Sequence, residues 1–153
     1  MKQLTITRLT KADSIAAVQI PTILNEAGIA FQPIDRLNWS EYPYKPEVEF
    51  RIAHTGDTLL LHYRVTEQSV RAVAETDNGR VWEDACCEFF LQPNLQEPVY
   101  YNFECNCAGT LLLNHGKVGD RHPAPKETLS GIDRWSSLGR EPFEERVGEC
   151  SWE

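Results

Sequence analysis

Asn78-Gly-Arg-Val-Trp-Glu-Asp-Ala-Cys-Cys-Glu-Phe-Phe-Leu-Gln-Pro93 opens on a turn signal and runs into an alternating pattern. Asn-Gly supplies the backbone freedom that a tight turn needs. Beyond it, Val81, Ala85, Cys87, Phe89 and Leu91 fall in one set, broken only by Glu83. Trp82, Asp84, Cys86, Glu88 and Phe90 fall in the other. Side chains alternate across a strand, so a strand over this run buries the first set. The second set then presents a large aromatic and two carboxylates on the opposite surface. Such a surface suits a sugar ring: the aromatic packs on the apolar C–H face, and the carboxylates accept from hydroxyls.

The same alternation continues downstream. Val99, Tyr101, Phe103 and Cys105 share one face, and Tyr100, Asn102, Glu104 and Asn106 the other. Neighbouring strands lie about 4.8 Å apart. If these two runs pair, Glu88 joins Asn102, Glu104 and Asn106 in a set able to hold adjacent hydroxyls. Trp82 is harder to include. It stands six residues before Glu88, about 20 Å along a straight strand. It shares a site only if residues 79–84 fold back over the sheet, which the Asn78-Gly79 turn permits.

Upstream, Val48 to Ala53 and Leu59 to Val65 alternate around Thr55-Gly-Asp57, which predicts an antiparallel hairpin. Glu67 to Val73 reads as another strand. Thr110 to Leu113 returns from a glycine turn, and residues 117–126, with Gly119, Pro123 and Pro125, read as a loop. Val147 to Trp152 reads as the start of a last strand. At the other end, Leu4 to Arg8 is a candidate strand. Asp13 or Ser14 is a candidate cap for a short helix through Val18. Pro21 opens a second short helix to about Ala27, stopped by Gly28. Residues 31–46 read as an ordered loop. Short strands at close spacing, with no long helix, predict an all-β antiparallel sandwich with short N-terminal helical segments. One domain over residues 1–153 is expected. Its C-terminus reads as incomplete, or as an open edge strand able to pair with a second copy or another chain.

Composition narrows the function. The 153 residues carry a net charge of −8. No basic cluster exists for phosphates, which argues against nucleic acid. No apolar run approaches a membrane span. The N-terminus lacks the apolar core of a signal peptide, so the chain reads as cytoplasmic as written, or as secreted or envelope-bound if it was trimmed. Cys86, Cys87, Cys105, Cys107 and Cys150 are odd in number and lie in strands, which suggests reduced thiols. Their spacing is not that of zinc knuckles. Glu75-Thr-Asp-Asn-Gly79 is oxygen-rich enough for calcium, but it lacks EF-hand spacing and reads more simply as an acidic turn. A glycoside-processing enzyme would draw a carboxylate pair from Glu83, Asp84, Glu88 and Glu104. Its acid needs a raised pKa, which the sequence does not mark. None of His54, His62, His115 and His122 sits in a Cys-His signature.

Four blocks then occur in order: Asn38-Trp-Ser-Glu-Tyr-Pro-Tyr-Lys-Pro46, Val48-Glu-Phe-Arg-Ile-Ala-His54, Val81-Trp-Glu-Asp-Ala-Cys-Cys-Glu-Phe-Phe90 and Tyr101-Asn-Phe-Glu-Cys-Asn-Cys-Ala-Gly-Thr110. Together they resemble the family 9-like carbohydrate-binding modules, in a branch found in Bacteroidetes. The resemblance covers about residues 35–153 and leaves 1–34 as an N-terminal extension. It implies a β-sandwich related to the DOMON-like (jelly-roll) folds and a mono- or oligosaccharide ligand bound without catalysis. It also implies no cofactor beyond the structural calcium of some members, whose ligands it does not place. In better-known members two tryptophans clamp the sugar and polar side chains grip its hydroxyls. By that pattern Trp82 is the first tryptophan, Glu88 the hydroxyl-binding acid, and Asn106 the asparagine before the glycine turn. The partner tryptophan normally comes later than Glu153. Trp152 fits a strand position that packs the sandwich, and Trp135 has no counterpart.

Overall fold

A computed structural model describes residues 2–10 and 14–153. The candidate cap Asp13 lies outside the described residues. The fold is the expected all-β sandwich of two antiparallel sheets, with short helical segments near the N-terminus. Nine strands are described: β1 (Thr7–Arg8), β2 (Gln32–Pro33), β3 (Glu47–His54), β4 (Leu59–Ala72), β5 (Cys86–Leu91), β6 (Tyr100–Asn106), β7 (Leu111–Lys117), β8 (Asp120–Pro123) and β9 (Phe143–Trp152). The helices are α1 (Ile20–Glu26) and α2 (Lys126–Ser130), with 3-10 turns at Ala17–Gln19 and Val81–Glu83. Among the described residues no helix is long and apolar enough to cross a membrane. By contacts the chain divides into two compact units, Met1–Gln68 with Glu149–Glu153, and Ser69–Gly148.

In the first unit, β3 and β4 form the expected hairpin, with Ala53 opposite Leu60 and Arg51 opposite His62. Thr55 and Thr58 close its turn through a backbone bond of 3.0 Å. β1 pairs with β3 in parallel, and it is shorter than the expected Leu4–Arg8 run. α1 begins with Pro21 in its first turn and ends at Gly28, whose φ of 66° suits glycine. Leu24, Ala53 and Leu60 form a core into which Leu9, Ile15, Ile20, Ile23 and Ile29 pack. Ahead of α1, the turn at Ala17–Gln19 is closed by Gln19, whose side chain accepts from the Ala16 amide at 3.0 Å. Arg51 links this layer to the hairpin, donating to the Pro21 carbonyl at 2.7 Å and to His62 Nδ1 at 3.0 Å. Because Nδ1 accepts, Nε2 carries the ring hydrogen and donates to Glu153 at 3.2 Å. Burial holds the His62 pKa below its ordinary value.

β4 is one strand of 14 residues rather than two. Its neighbour β9 starts at Phe143, four residues before the expected Val147. Glu144, Glu145 and Arg146 hide this strand from hydrophobic alternation, because an edge strand favours exposed charge. Trp152 is buried, as its strand position implied, and its indole donates to Glu67 at 2.6 Å. Burial raises the Glu67 carboxyl, and this bond opposes the rise.

The second unit holds a four-stranded sheet in the order β5-β6-β7-β8. β8 lies in what the sequence suggested was a loop. A two-residue turn at Val118-Gly119 returns the chain, and Pro123 is tolerated because β8 is an edge strand. On one face Leu111 and Leu113 pack with Ala124 and Leu129, joined by Tyr101, Phe103, Cys105 and Ile132. Gly116 has φ 142°, and a Cβ there would stand 2.2 Å from the Asp120 carbonyl.

The opening stretch is not a strand throughout. Residues Val81–Glu83 form a 3-10 turn, Val81 is fully buried, and β5 starts only at Cys86. The Ala85 amide bonds the Arg71 carbonyl at 3.0 Å, and the Cys107 amide bonds the Ala85 carbonyl at 2.8 Å. The preceding turn is pinned too. Asn78 adopts φ 60°, accepts from the Leu113 amide at 3.2 Å and donates to the Ala124 carbonyl at 3.0 Å.

Gly116→Ala is expected to destabilise the protein by about 2 kcal/mol or more, combining steric conflict with backbone strain. Gly148→Ala, with φ 121° but open space around its Cβ, should cost less. Urea midpoints of the two variants check this order.

Candidate functional site

Register gathers the polar candidates on one face of the second sheet. Glu88 stands opposite Glu104, and Phe90 opposite Asn102. Asn102 in turn faces Asn114, and Tyr100 and Arg121 flank Gly116. Glu88, Phe90 and Arg121 are exposed on the two edge strands, while Asn102 and Glu104 are buried on β6. The turn carrying Trp82 lies against β5 and β6, and Trp82 is 54% exposed. So the chain does bend at residues 81–83, and the straight-strand separation from Glu88 does not apply.

Asp84 and Asn106 are committed elsewhere. The Asp84 side chain is fully buried. Its carboxylate accepts from the amides of Val73 and Ala74, both at 3.0 Å, and from Asn106 Nδ2 at 2.9 Å. Arg71 Nε lies 3.6 Å away. Asn106 Oδ1 accepts from the amides of Ala108 and Thr110 at 3.1 and 2.8 Å. A buried carboxylate is tolerable only with such compensation. The pair knots together the end of β4, the start of β5 and the β6–β7 turn. Neither side chain presents spare capacity to a ligand.

Glu104 and Asn102 differ. Glu104 is 8% exposed and Asn102 1%. Asn102 Oδ1 accepts from Arg121 at 2.9 Å. Its Nδ2 and Glu104 Oε2 are buried without a partner. Burial raises the Glu104 pKa above its ordinary 4.5, Glu88 adds to the rise, and Arg121 opposes it. Cys86, on the same face, is pushed up to about 12 by burial and then by Glu88 and Glu104. Burial pushes Cys105 to about 11. Both stay protonated thiols, which removes a nucleophilic role at neutral pH.

The acidic turn has its own occupant. Asp77 takes Arg134 in a two-pronged contact at 2.7 and 3.0 Å and the Leu111 amide at 2.9 Å. Burial would raise its carboxyl, but these contacts bring it below its ordinary value. Its oxygens, and that of Asn78, are thus engaged by protein donors, with a guanidinium where a cation would need to sit. Among the described residues no group of three or more His, Cys, Asp or Glu is gathered for a metal.

Arg121 and Tyr100 were not singled out by the sequence. Arg121 was hidden in the presumed loop, although Lys117-Val-Gly-Asp120 carries a hairpin signal in Gly119. The Arg134–Asp77 contact spans 57 residues, and no local pattern announces it.

The second sheet thus presents Phe90, Glu88 and Arg121 on one face, above the buried Asn102 and Glu104. The chain matches carbohydrate-binding family 9 over residues 18–153, and it belongs to that family. It is also similar to the crystal structure of a "putative carbohydrate-binding protein" from Bacteroides uniformis, with 57% identity and a TM-score of 0.94. The match covers 97% of this chain and 68% of that one. No curated protein matches the chain.

Because the folded state raises the Glu104 pKa, it holds a proton that the unfolded chain releases. Stability attributable to this group therefore falls as pH rises above about 4.5 and through the folded pKa. Glu104→Gln should raise the melting temperature at pH 7, and its advantage should shrink toward pH 4. Melting curves across that range check it. Asp84→Ala, which strands three donors, should cost about 3 kcal/mol, read by urea denaturation.

Proposed function

We propose that the Glu88 face of the second sheet binds carbohydrate without transforming it. Trp82 is the stacking platform, and Glu88 accepts hydrogen bonds from sugar hydroxyls. Asn102 and Glu104 form the polar floor behind Glu88, and Asp84 and Asn106 hold the turn that presents Trp82. The observation that carries this reading is the 3-10 turn at Val81–Glu83, which sets an exposed tryptophan beside β5 and β6 instead of extending it away. The Asp84 and Asn106 bonds hold this turn, so a half-exposed Trp82 ring is presented at a fixed position beside the sheet. Family membership and the carbohydrate-binding description of the Bacteroides uniformis protein support the ligand class.

A carboxylate pair for glycoside processing would be Glu88 with Glu104. They stand side by side on adjacent strands, and one Glu104 oxygen is sealed from solvent. Glu104 has the raised carboxyl that an acid needs. Its burial on β6 keeps it back from a bond lying over the face, and this favours binding over hydrolysis.

Glycan-array screening followed by titration calorimetry tests the assignment. Trp82→Ala and Glu88→Gln should each weaken binding by about tenfold or more, as for buried anchors in other interfaces. Unchanged binding in both variants would overturn the site. Oligosaccharide hydrolysis by the purified protein, lost in Glu104→Gln, would replace binding with catalysis.

A further inference from the structure

We infer that the same face carries a second aromatic subsite, formed by Phe90, Tyr100 and Arg121, and that the ligand is therefore an oligosaccharide lying along β5. The inference rests on the carbohydrate-binding reading above. Phe90 is 56% exposed in a regular strand, on the face it shares with Glu88. Tyr100 stands beside it, with ring centroids 6.1 Å apart and planes inclined by 39°. Across β7, the position between Tyr100 and Arg121 is Gly116. With no side chain there, Arg121 reaches over β7, places its guanidinium carbon 5.9 Å from the Tyr100 ring and bonds Asn102 on β6.

That contact fixes the guanidinium from beneath. It uses one of five N–H donors, so others remain for hydroxyls. Glu88 supplies an acceptor one alternation away from Phe90. An apolar ring with a donor on one side and an acceptor on the other matches the faces and hydroxyls of a pyranose. Phe90 also lies near the end of β5 away from the turn that carries Trp82. Cys86 to Phe90 spans about 14 Å of strand, and Trp82 precedes Cys86. One sugar ring does not cover that distance, whereas a short chain does.

The test is affinity against ligand length. Gluco-, xylo- and manno-oligosaccharides of one to six units are titrated into wild type, Trp82→Ala, Phe90→Ala, Phe90→Tyr and Arg121→Gln. Circular dichroism confirms that each variant is folded. Wild-type affinity should rise with chain length. Phe90→Ala and Arg121→Gln should flatten that rise, losing about tenfold for the longest chains. Phe90→Tyr should restore it, and Trp82→Ala should weaken binding at every length. A length dependence in Phe90→Ala equal to wild type overturns the second subsite while leaving the Trp82 site standing. A wild-type dimer by sedimentation that Phe90→Ala dissolves would show that Phe90 serves self-association, and it also overturns the subsite. No binding to any probe rejects the carbohydrate reading and this inference with it.

Discussion

The buried carboxylate of Asp84 is the constraint on which the second unit depends. A charge with no exposure must be surrounded by donors, and here they come from three places in the chain: Val73 and Ala74, Asn106, and more distantly Arg71. Satisfying it forces β5 to start late and leaves residues 81–83 as a turn. Val81 goes into the core and Trp82 stays outside. The same knot ties down Asn106, whose amide holds the β6–β7 turn and hence the register that sets Glu88 opposite Glu104. The residue that holds this turn in place is thus one whose carboxylate is wholly taken up by the protein's own donors.

Much of the fold was legible because alternation is local. β3, β6 and the β3–β4 hairpin follow from period-two patterns and a Gly-Asp turn. Elements that depend on distant partners were not legible. β8 contains a proline and is polar throughout, which only its place at a sheet edge explains. The length of β9 is carried by its pairing with β4, and its exposed charges erase the alternation. In the opening stretch a strand was expected from Val81, because Val81 and Ala85 share the parity of Phe89. That parity survives a 3-10 turn by coincidence of burial, so pattern alone could not expose the break.

The site was legible in part for the same reason. Parity placed Trp82, Glu88, Asn102 and Glu104 on one surface, and register brings the last three together. It could not separate side chains that hold the site from those that face a ligand, because Asp84 and Asn106 have the same chemistry as Glu88 and Asn102. What separates Asp84 and Asn106 is that their side chains are taken up by backbone amides and by each other. Arg121, which comes from a separate hairpin, needed Gly116 to leave a gap, and glycine in a strand does not by itself say what crosses it.

Cys86 stands at one end of this face, half-buried beside its carboxylates. Its thiol is pushed up by burial and then by the carboxylates of Glu88, Glu104 and Asp84. At the far end Arg121 opposes the rise at Glu104. The face thus carries carboxylates near the Cys86 end and the Arg121 guanidinium beside Tyr100 at the other. Under the binding mode proposed above, the two directions of a sugar chain along β5 are therefore not equivalent: hydroxyl protons suit the carboxylate end and ring and hydroxyl oxygens the guanidinium end.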